Sequence, residues 1–388
     1  MVHWPYTGDR SVRIDELETP SLVLDLAVLE RNCAAMAERA KRHGVRLRPH
    51  LKTAKSTEVG AIATRGQFGG ITVSTIAEAA YFAAHQFRDL TYGVGIAPDK
   101  IPALAAIQRK HDATINLILD NVATATAASF AAEKEHSAFS VFVEIDTGGG
   151  RAGVDPEGSE LLAVAKAVAE SKSLKLAGVL SHAGHSYHAH SVDEIRHIAE
   201  QERSGVVQAA QRIRAAGMPC ETVSVGSTPT MVFAERLDGV TEMRPGVYTF
   251  FDLDQVGLGV CTEDDIAVSV VATVIGHNQR RSRVLIDAGA LALSKDLSAS
   301  EFTKNVGYGL VRPFRGAALP ASHLYVADVA QEHGMIAAAE GELPWDFLPI
   351  GTKVRVLPNH ACMTVAPFDR YHVDRGDGLV EWEKIRGW

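Results

Sequence analysis

Four cysteines in 388 residues, at positions 33, 220, 261 and 362, are too few and too scattered for a disulfide framework, and they suit a reducing compartment. No uninterrupted apolar run is long enough to cross a bilayer, so no membrane partner is expected. Met1 to Arg10 contains Trp4, Pro5 and Tyr6 but no basic leader followed by an apolar core, which argues against a secretory signal. Basic excess is missing too. With 39 Lys and Arg against 47 Asp and Glu, the net charge of -8 gives no sign of a nucleic-acid or anionic-membrane partner. A cytoplasmic protein is expected, and neither an internal repeat nor a low-complexity segment is seen.

What is there is the composition of an ordinary soluble globular chain, 46% hydrophobic and 22% charged, long enough for one large core and a smaller second domain. Thr19-Pro20-Ser21 precedes a short strand over Leu22 to Leu24, after which Asp25 can cap a helix running to Gly44. Strands then follow at 47–52, 70–74, 90–95, 114–119, 140–146, 176–182, 222–226 and 240–244. Between most of them lie alanine-rich amphipathic stretches such as 76–86, 160–171 and 192–216. Strands alternating with helices in this way are the rhythm of an α/β (β/α)8 TIM-type barrel, although a doubly wound open sheet shares it.

Near Cys261 the rhythm changes. Residues 266–276, 283–287, 323–327, 353–357 and 379–382 read as strands without long helices between them, which implies a C-terminal antiparallel β domain. The expected organisation is an N-terminal segment over 1–20, with 12–17 returning to pack on the β domain, a barrel over 21–260 and the β domain over 261–388. The boundary should fall around residues 252–265.

Polar groups gather at the carboxyl ends of the barrel strands, where such barrels keep their chemistry. Leu47 to Lys55 joins the first strand to a lysine. If 47–52 is a strand, its period of two puts His50 and Lys52 on one face. An amine there can hold an aldehyde cofactor as a Schiff base; Lys55, at the start of the next helix, is the weaker candidate. A lysine after a strand is ordinarily a solvated surface residue, so the assignment leans on the other strand ends. Asp146 to Arg151 places three glycines before Arg151, which can donate a forked hydrogen bond to an anionic oxygen, unless the segment is merely a loop with a solvated arginine. Ser181 to His188 packs three histidines and Tyr187 into eight residues, suited to stacking on a ring and moving protons; His190 beyond them is surface. The amides and hydroxyls of Gly226-Ser227-Thr228 can cradle a phosphate, and Gly246, within Arg244-Pro245-Gly246-Val247-Tyr248, lets further amides approach it. Last comes Pro358-Asn359-His360-Ala361-Cys362. On a strand, His360 and Cys362 point the same way and can grip one metal ion as imidazole and thiolate, a soft pair favouring zinc over magnesium or calcium. An isolated His-x-Cys is more often a buried cysteine beside an unrelated histidine.

Together these residues resemble the fold-type III pyridoxal-phosphate enzymes, the group of alanine racemase, and more narrowly the D-serine dehydratase/D-threonine aldolase family. The likeness covers nearly the whole chain, through Thr-Pro-Ser-Leu-Val-Leu-Asp at 19–25, Arg-Pro-His-Leu-Lys-Thr at 48–53, Gly-Gly-Arg-Ala-Gly-Val at 149–154, His-Ala-Gly-His-Ser-Tyr at 182–187, Arg-Pro-Gly-x-Tyr at 244–248 and Pro-Asn-His-Ala-Cys at 358–362. It implies a homodimer with active sites near the interface. On matching positions it implies that Lys52 carries pyridoxal 5'-phosphate and moves the α proton, that Arg151 contacts the phenolic oxygen side, and that His182 lies by the ring. Gly226, Ser227, Gly246 and Val247 would surround the phosphate, with Thr228 in the same turn. Tyr187 and Tyr248 match positions at the cofactor, and Arg244 matches the alanine racemase residue that faces the pyridine nitrogen, where aldolases of the family often differ. His360 and Cys362 match the zinc pair of D-serine dehydratase, where the threonine aldolases usually carry His-x-Asp, and Glu332-His333-Gly334 would put His333 near the metal. After Cys362 the chain departs from the asparagine-rich turn more usual in the family, so the pocket beyond the metal is expected to differ.

The activity implied is dehydration of D-serine or a related small D-3-hydroxyamino acid. Lys52 removes the α proton, a zinc ion (alternatively manganese or another divalent ion) helps the β-hydroxyl leave, and hydrolysis gives a 2-keto acid and ammonia. The runner-up is a D-threonine aldolase-type retro-aldol cleavage to glycine and an aldehyde, with a histidine of 182–188 as base. A third possibility is a non-catalytic cofactor carrier, a class that generally lacks a second domain.

Overall fold

The computed structural model describes residues 16–314 and 323–388; residues 12–15 of the strand expected over 12–17 lie outside the described residues. The chain divides into two compact units. Residues 33–248 with 387–388 form one, and the residues up to 32 with 249–386 form the other. The line therefore falls at 249, ahead of the expected window.

The first strand, β1 (Ser21–Asp25), does not belong to the barrel span of 21–260 assigned from sequence. It pairs antiparallel with one strand and parallel with another of the second unit, as described below. It leads into a helix over Leu26–Arg42, with the Val28 amide capped by Asp25 Oδ1 at 3.0 Å.

The 33–248 unit carries eight parallel strands: β2 (Arg46–Leu47), β3 (Ile71–Val73), β4 (Asp89–Gly95), β5 (Thr114–Leu119), β6 (Phe139–Glu144), β7 (Leu174–Leu180), β8 (Thr222–Val225) and β9 (Glu242–Met243). Their order is β2-β9-β8-β7-β6-β5-β4-β3. The two ends of that order meet through the bridge between His50 and Thr72, where Leu51 N–H donates to Thr72 O and Thr72 N–H to Pro49 O, each at 2.9 Å. The eight strands thus close into a ring. Their near-continuous apolar runs, such as Ile115 and Leu117 to Leu119, are buried because both faces of a parallel sheet are covered. Helices return between strands. In that over Val192–Ala215, Ser191 caps the Glu194 amide, and Ile195, Ile198, Ala199, Val206 and Ala210 form the buried stripe.

Arg48 and Glu242, both buried in this unit, are paired. Arg48 donates through Nε to Glu242 Oε2 and through Nη1 and Nη2 to Asp89 Oδ1 and Oδ2, all at 2.9 Å, while Ser224 Oγ donates to Glu242 Oε1 at 2.7 Å.

The other unit is one nine-stranded sheet built on β10 (Val268–Asn278), β11 (Arg283–Ile286), β12 (Leu310–Pro313), β13 (Leu324–Val329), β14 (Gly334–Ala338), β15 (Lys353–Leu357), β16 (Arg370–Asp374) and β17 (Leu379–Glu383), together with β1. All pairings are antiparallel except that of β1 with β16. β12, β14 and β16 were not expected, since each is only four or five residues long and they carry Pro313, Gly334 and Ala337-Ala338 or alternating charge instead of a β-branched run. Leu17, Val23, Val271 and Leu379 pack into one buried cluster of this unit. Among the described residues no helix is long and apolar enough to cross a membrane.

Candidate active site

Lys52 does not lie on a strand. Pro49 has no N–H to give the ladder, β2 ends at Leu47, and residues 51–54 form a turn after the bridge at His50. His50 and Lys52 meet through the backbone: the Lys52 amide faces His50 Nδ1, 3.4 Å away. With Nδ1 accepting, the His50 proton sits on Nε2, 3.5 Å from Ser74 Oγ. Burial, then the charge of Lys52, holds the His50 pKa well below the ordinary imidazole value. The two lysines differ in their partners. Lys55 is buried, its ammonium donating to Lys52 O and lying 3.7 Å from Glu78 Oε1. Among the described residues the Lys52 ammonium makes neither a hydrogen bond nor an ion pair.

After β7, His182 donates from Nδ1 to Gly226 O at 2.8 Å, leaving Nε2 unprotonated. Burial and the neighbouring Lys52 charge push its pKa down to about 3, so the ring is neutral. Tyr187 is half-buried with its ring centroid 6.5 Å from that of His182. His188 and His190 are exposed, whereas His185 is half-buried with both ring nitrogens unpartnered.

The turn after β8 is held by Glu202, which sequence reasoning missed. Fully buried on the helix over 192–215, it accepts the amides of Ala183 and Gly226 on Oε1 at 3.0 Å each and the Thr230 hydroxyl on Oε2 at 3.1 Å. Burial raises its pKa. The available signal was a carboxylate standing on the apolar stripe of that helix. Two amides of the turn are engaged within the protein. The Gly226 amide goes to Glu202, and the Ser227 amide donates to Thr230 Oγ1 at 3.2 Å while its hydroxyl contacts Ser186 Oγ at 2.8 Å. Among the described residues, the amides of Thr228 and Val247, each opening a helical turn, have no acceptor. These two remain available to an anion.

Gly226 and Gly246 are needed for closeness. A Cβ on Gly226, where φ is +135°, would stand 2.8 Å from Arg244 N, and one on Gly246 would stand 2.8 Å from His50 O. Arg244 is buried, donating from Nη1 to Ser224 Oγ and from Nη2 to Ser181 O, both at 2.5 Å. Tyr248 is fully buried with its hydroxyl unpartnered, and burial raises its pKa well above the ordinary phenol value. Arg151 is exposed and reaches Glu144 Oε1 at 3.7 Å. The mouth thus brings together an unpaired amine, two neutral imidazoles and two free amides, with a cationic Arg151 at the exposed side. This fits an aldehyde bearing a phosphate.

In the other unit, His360 and Cys362 sit not on a strand but past β15, His360 at the N-cap and Cys362 in the first turn of a helix over Ala361–Val365. Their side chains are nonetheless hydrogen-bonded neighbours, and despite burial Asp296 and Cys362 raise the His360 pKa, so a metal taken up there would displace the Nε2 proton. His360 Nδ1 donates to Asp296 Oδ2 at 2.8 Å, which leaves Nε2 as the ligand atom. Asp252, whose charge acts on both residues, accepts the Ala361 amide at 2.9 Å. A histidine oriented by a carboxylate beside a thiol suits a soft divalent ion. Among the described residues no group of three or more His, Cys, Asp or Glu side chains that could hold a metal is found. His333, expected near the metal, is exposed in the turn between β13 and β14, without a hydrogen bond or ion pair to His360 or Cys362. No sequence spacing pointed to Asp296, 64 residues from its partner.

Comparison with known proteins shows the family of the chain. Residues 24–254 match the family of the alanine racemase N-terminal domain, and residues 267–374 match a putative serine dehydratase domain. A D-threo-3-hydroxyaspartate dehydratase from Delftia sp. strain HT23 is 44% identical over 376 residues, 96% of this chain and 98% of the relative. A D-serine dehydratase from Dictyostelium discoideum is 32% identical over 387 residues, covering 95% and 96%. A 3-hydroxy-D-aspartate aldolase from Paracoccus denitrificans is 30% identical over 378 residues, covering 94% and 90%. The solved structure of the Delftia enzyme superposes with a TM-score of 0.92 at 43% identity, covering 97% of this chain and 100% of that one. Two further structures of D-threo-3-hydroxyaspartate dehydratase carry alanine for a histidine and for a cysteine two positions later, the cysteine variant being in the metal-free form. The chain belongs to the fold-type III pyridoxal-phosphate family, in the branch that joins an alanine racemase N-terminal domain to a D-serine dehydratase domain.

Proposed function

We propose that this protein is a pyridoxal-phosphate- and metal-dependent lyase that dehydrates a small D-3-hydroxyamino acid to a 2-keto acid and ammonia. D-serine and D-threo-3-hydroxyaspartate, named in its relatives, are the first substrates to test. The observation that carries the reading is the His360–Cys362 contact, whose His-x-Cys spacing is that of the two residues altered in the dehydratase variants.

Lys52 would hold the cofactor, and its amine, displaced by the substrate, would take the proton from Cα. His182, oriented by Gly226 O, and His50 would stand beside that amine as neutral rings. The amides of Thr228 and Val247 would hold the phosphate, with Gly226, Ser227 and Gly246 shaping the turns around them. Arg151 would face the phenolic oxygen, and Arg244 the ring nitrogen, with Tyr187 and Tyr248 beside them. His360 and Cys362 would hold the metal, with zinc favoured by the imidazole–thiolate pair. When bound, the cofactor supplies an electron sink for the Cα charge, and the metal a Lewis acid for the departing hydroxyl. A homodimer and a cytoplasmic location complete the proposal, supported by the family likeness and the scarcity of cysteine.

Product analysis on D-serine, D-threo-3-hydroxyaspartate and D-threonine, with and without chelator, tests this reading. From D-threonine, 2-oxobutyrate marks dehydration. Glycine and acetaldehyde would instead support the aldolase alternative.

A further inference from the structure

We infer that Lys55 is a positioning residue whose buried ammonium fixes the peptide of Lys52, and so the direction of the Lys52 amine. The inference rests on the reading of Lys52 as the cofactor-bearing lysine.

The turn that follows Lys52 ends in a left-handed residue, a conformation that favours glycine, yet the residue there is Lys55, with φ of +52°. A lysine is also seldom buried without a partner, and this one is only 6% exposed. Its side chain folds back so that Nζ donates to the carbonyl of Lys52 and lies 3.7 Å from Glu78 Oε1. Glu78 is itself buried, and its other oxygen accepts the Ser74 amide at 2.6 Å. Ser74 Oγ stands 3.5 Å from His50 Nε2, and His50 Nδ1 faces the Lys52 amide at 3.4 Å. One chain of contacts therefore starts at the C=O of Lys52, runs through Lys55, Glu78, Ser74 and His50, and returns to its N–H. Both polar groups of the Lys52 peptide are held, while its ammonium is left to the mouth. Gly387 covers the clamp: Thr75 Oγ1 donates to Gly387 O, and a Cβ at 387 would come 2.6 Å from Lys55 Cε.

Small errors in aim are expensive at such a group, since misplacement by about 1 Å can cost about a hundredfold in rate. The test uses the holoenzyme of Lys55→Met, Lys55→Arg and Gly387→Val, with kcat and KM measured separately and the cofactor fixed by borohydride and mapped. For Lys55→Met the expected result is a kcat lowered about 10- to 100-fold with KM changed less than about threefold. The label should stay on Lys52, and Lys55→Arg should recover part of the rate. Gly387→Val, which crowds the Lys55 stem without removing a charge, should lower kcat in the same direction and decides the matter if Lys55→Met does not fold. Label on Lys52 with kcat within about twofold of wild type in the folded variants overturns the clamp alone. Label on Lys55 in the wild-type enzyme overturns the assignment of Lys52 as well.

Discussion

The amide of Gly226 donates to Glu202 Oε1 at 3.0 Å, and the same oxygen accepts the amide of Ala183 at 3.0 Å, so one buried carboxylate joins the turns after β7 and β8. A glutamine at 202 keeps a single acceptor and turns an NH2 toward donors. Glu202→Gln is therefore expected to cost about 1–3 kcal/mol of stability and to weaken cofactor binding. Urea unfolding and a cofactor titration measure both effects; a variant indistinguishable from wild type would show the turns to be held by other contacts.

Turnover should depend on the Lys52 amine. Lys52→Ala is expected to lose about 10²–10⁴-fold in kcat and to take up no borohydride label, since the same group holds the cofactor and moves the α proton. Retained labelling at another position would refute the assignment.

Metal affinity should follow the hydrogen bond behind His360. Asp296→Asn leaves the two ligands in place but weakens the acceptor at Nδ1, and a loss of about 10–100-fold in metal affinity is expected. Dialysis against chelator should stop turnover while the cofactor absorbance persists, and adding zinc or manganese should restore it. Unchanged turnover in fully metal-free protein would remove His360 and Cys362 from the mechanism.

The neutral His182 has a signature in stability. Its folded pKa of about 3 lies below the ordinary 6.5, so between those values the unfolded chain binds a proton that the folded chain does not, and stability falls as pH falls through this window. In cofactor-free His182→Gln that contribution is gone, and urea midpoints measured from pH 6.5 down to 5 should drop less steeply than in wild type. Parallel slopes would mean that the imidazole is charged in the fold.

Arg48 should matter to the barrel rather than to the chemistry. Arg48→Met leaves buried Glu242 with only the Ser224 hydroxyl and the exposed Arg46, 3.7 Å away, and a loss of about 3 kcal/mol is expected in thermal or urea unfolding.

The alternation of strands and helices over 47–244 was legible because parallel strands buried on both faces read as apolar runs, and because each stretch between them carries a helical stripe. The ends of those strands were less so. Pro49 interrupts the ladder before Lys52, and the backbone turn there, more than strand periodicity, sets the relation of Lys52 to His50. The short strands β12, β14 and β16 carry no local signal strong enough to mark them; pairing with neighbours makes them strands. At the candidate site, the residues within motifs were visible, whereas their supports were not. Glu202 and Asp296 act at long range in sequence, and only the fold brings them to Gly226 and His360. The destination of the Gly226 amide likewise depends on a helix that no inspection of Gly226-Ser227-Thr228 could supply.

The pairing of β1 also orders events in time. Ser21 aligns with Val271 and Val23 with His372, so β1, the first strand among the described residues, finds its two neighbours only after long stretches of chain have been made. Until then the barrel can assemble while Leu22 to Leu24 wait with unsatisfied edges, and such distant pairings are slow to form. The edges of β1 are accordingly open to wrong pairing until both β10 and β16 have been made.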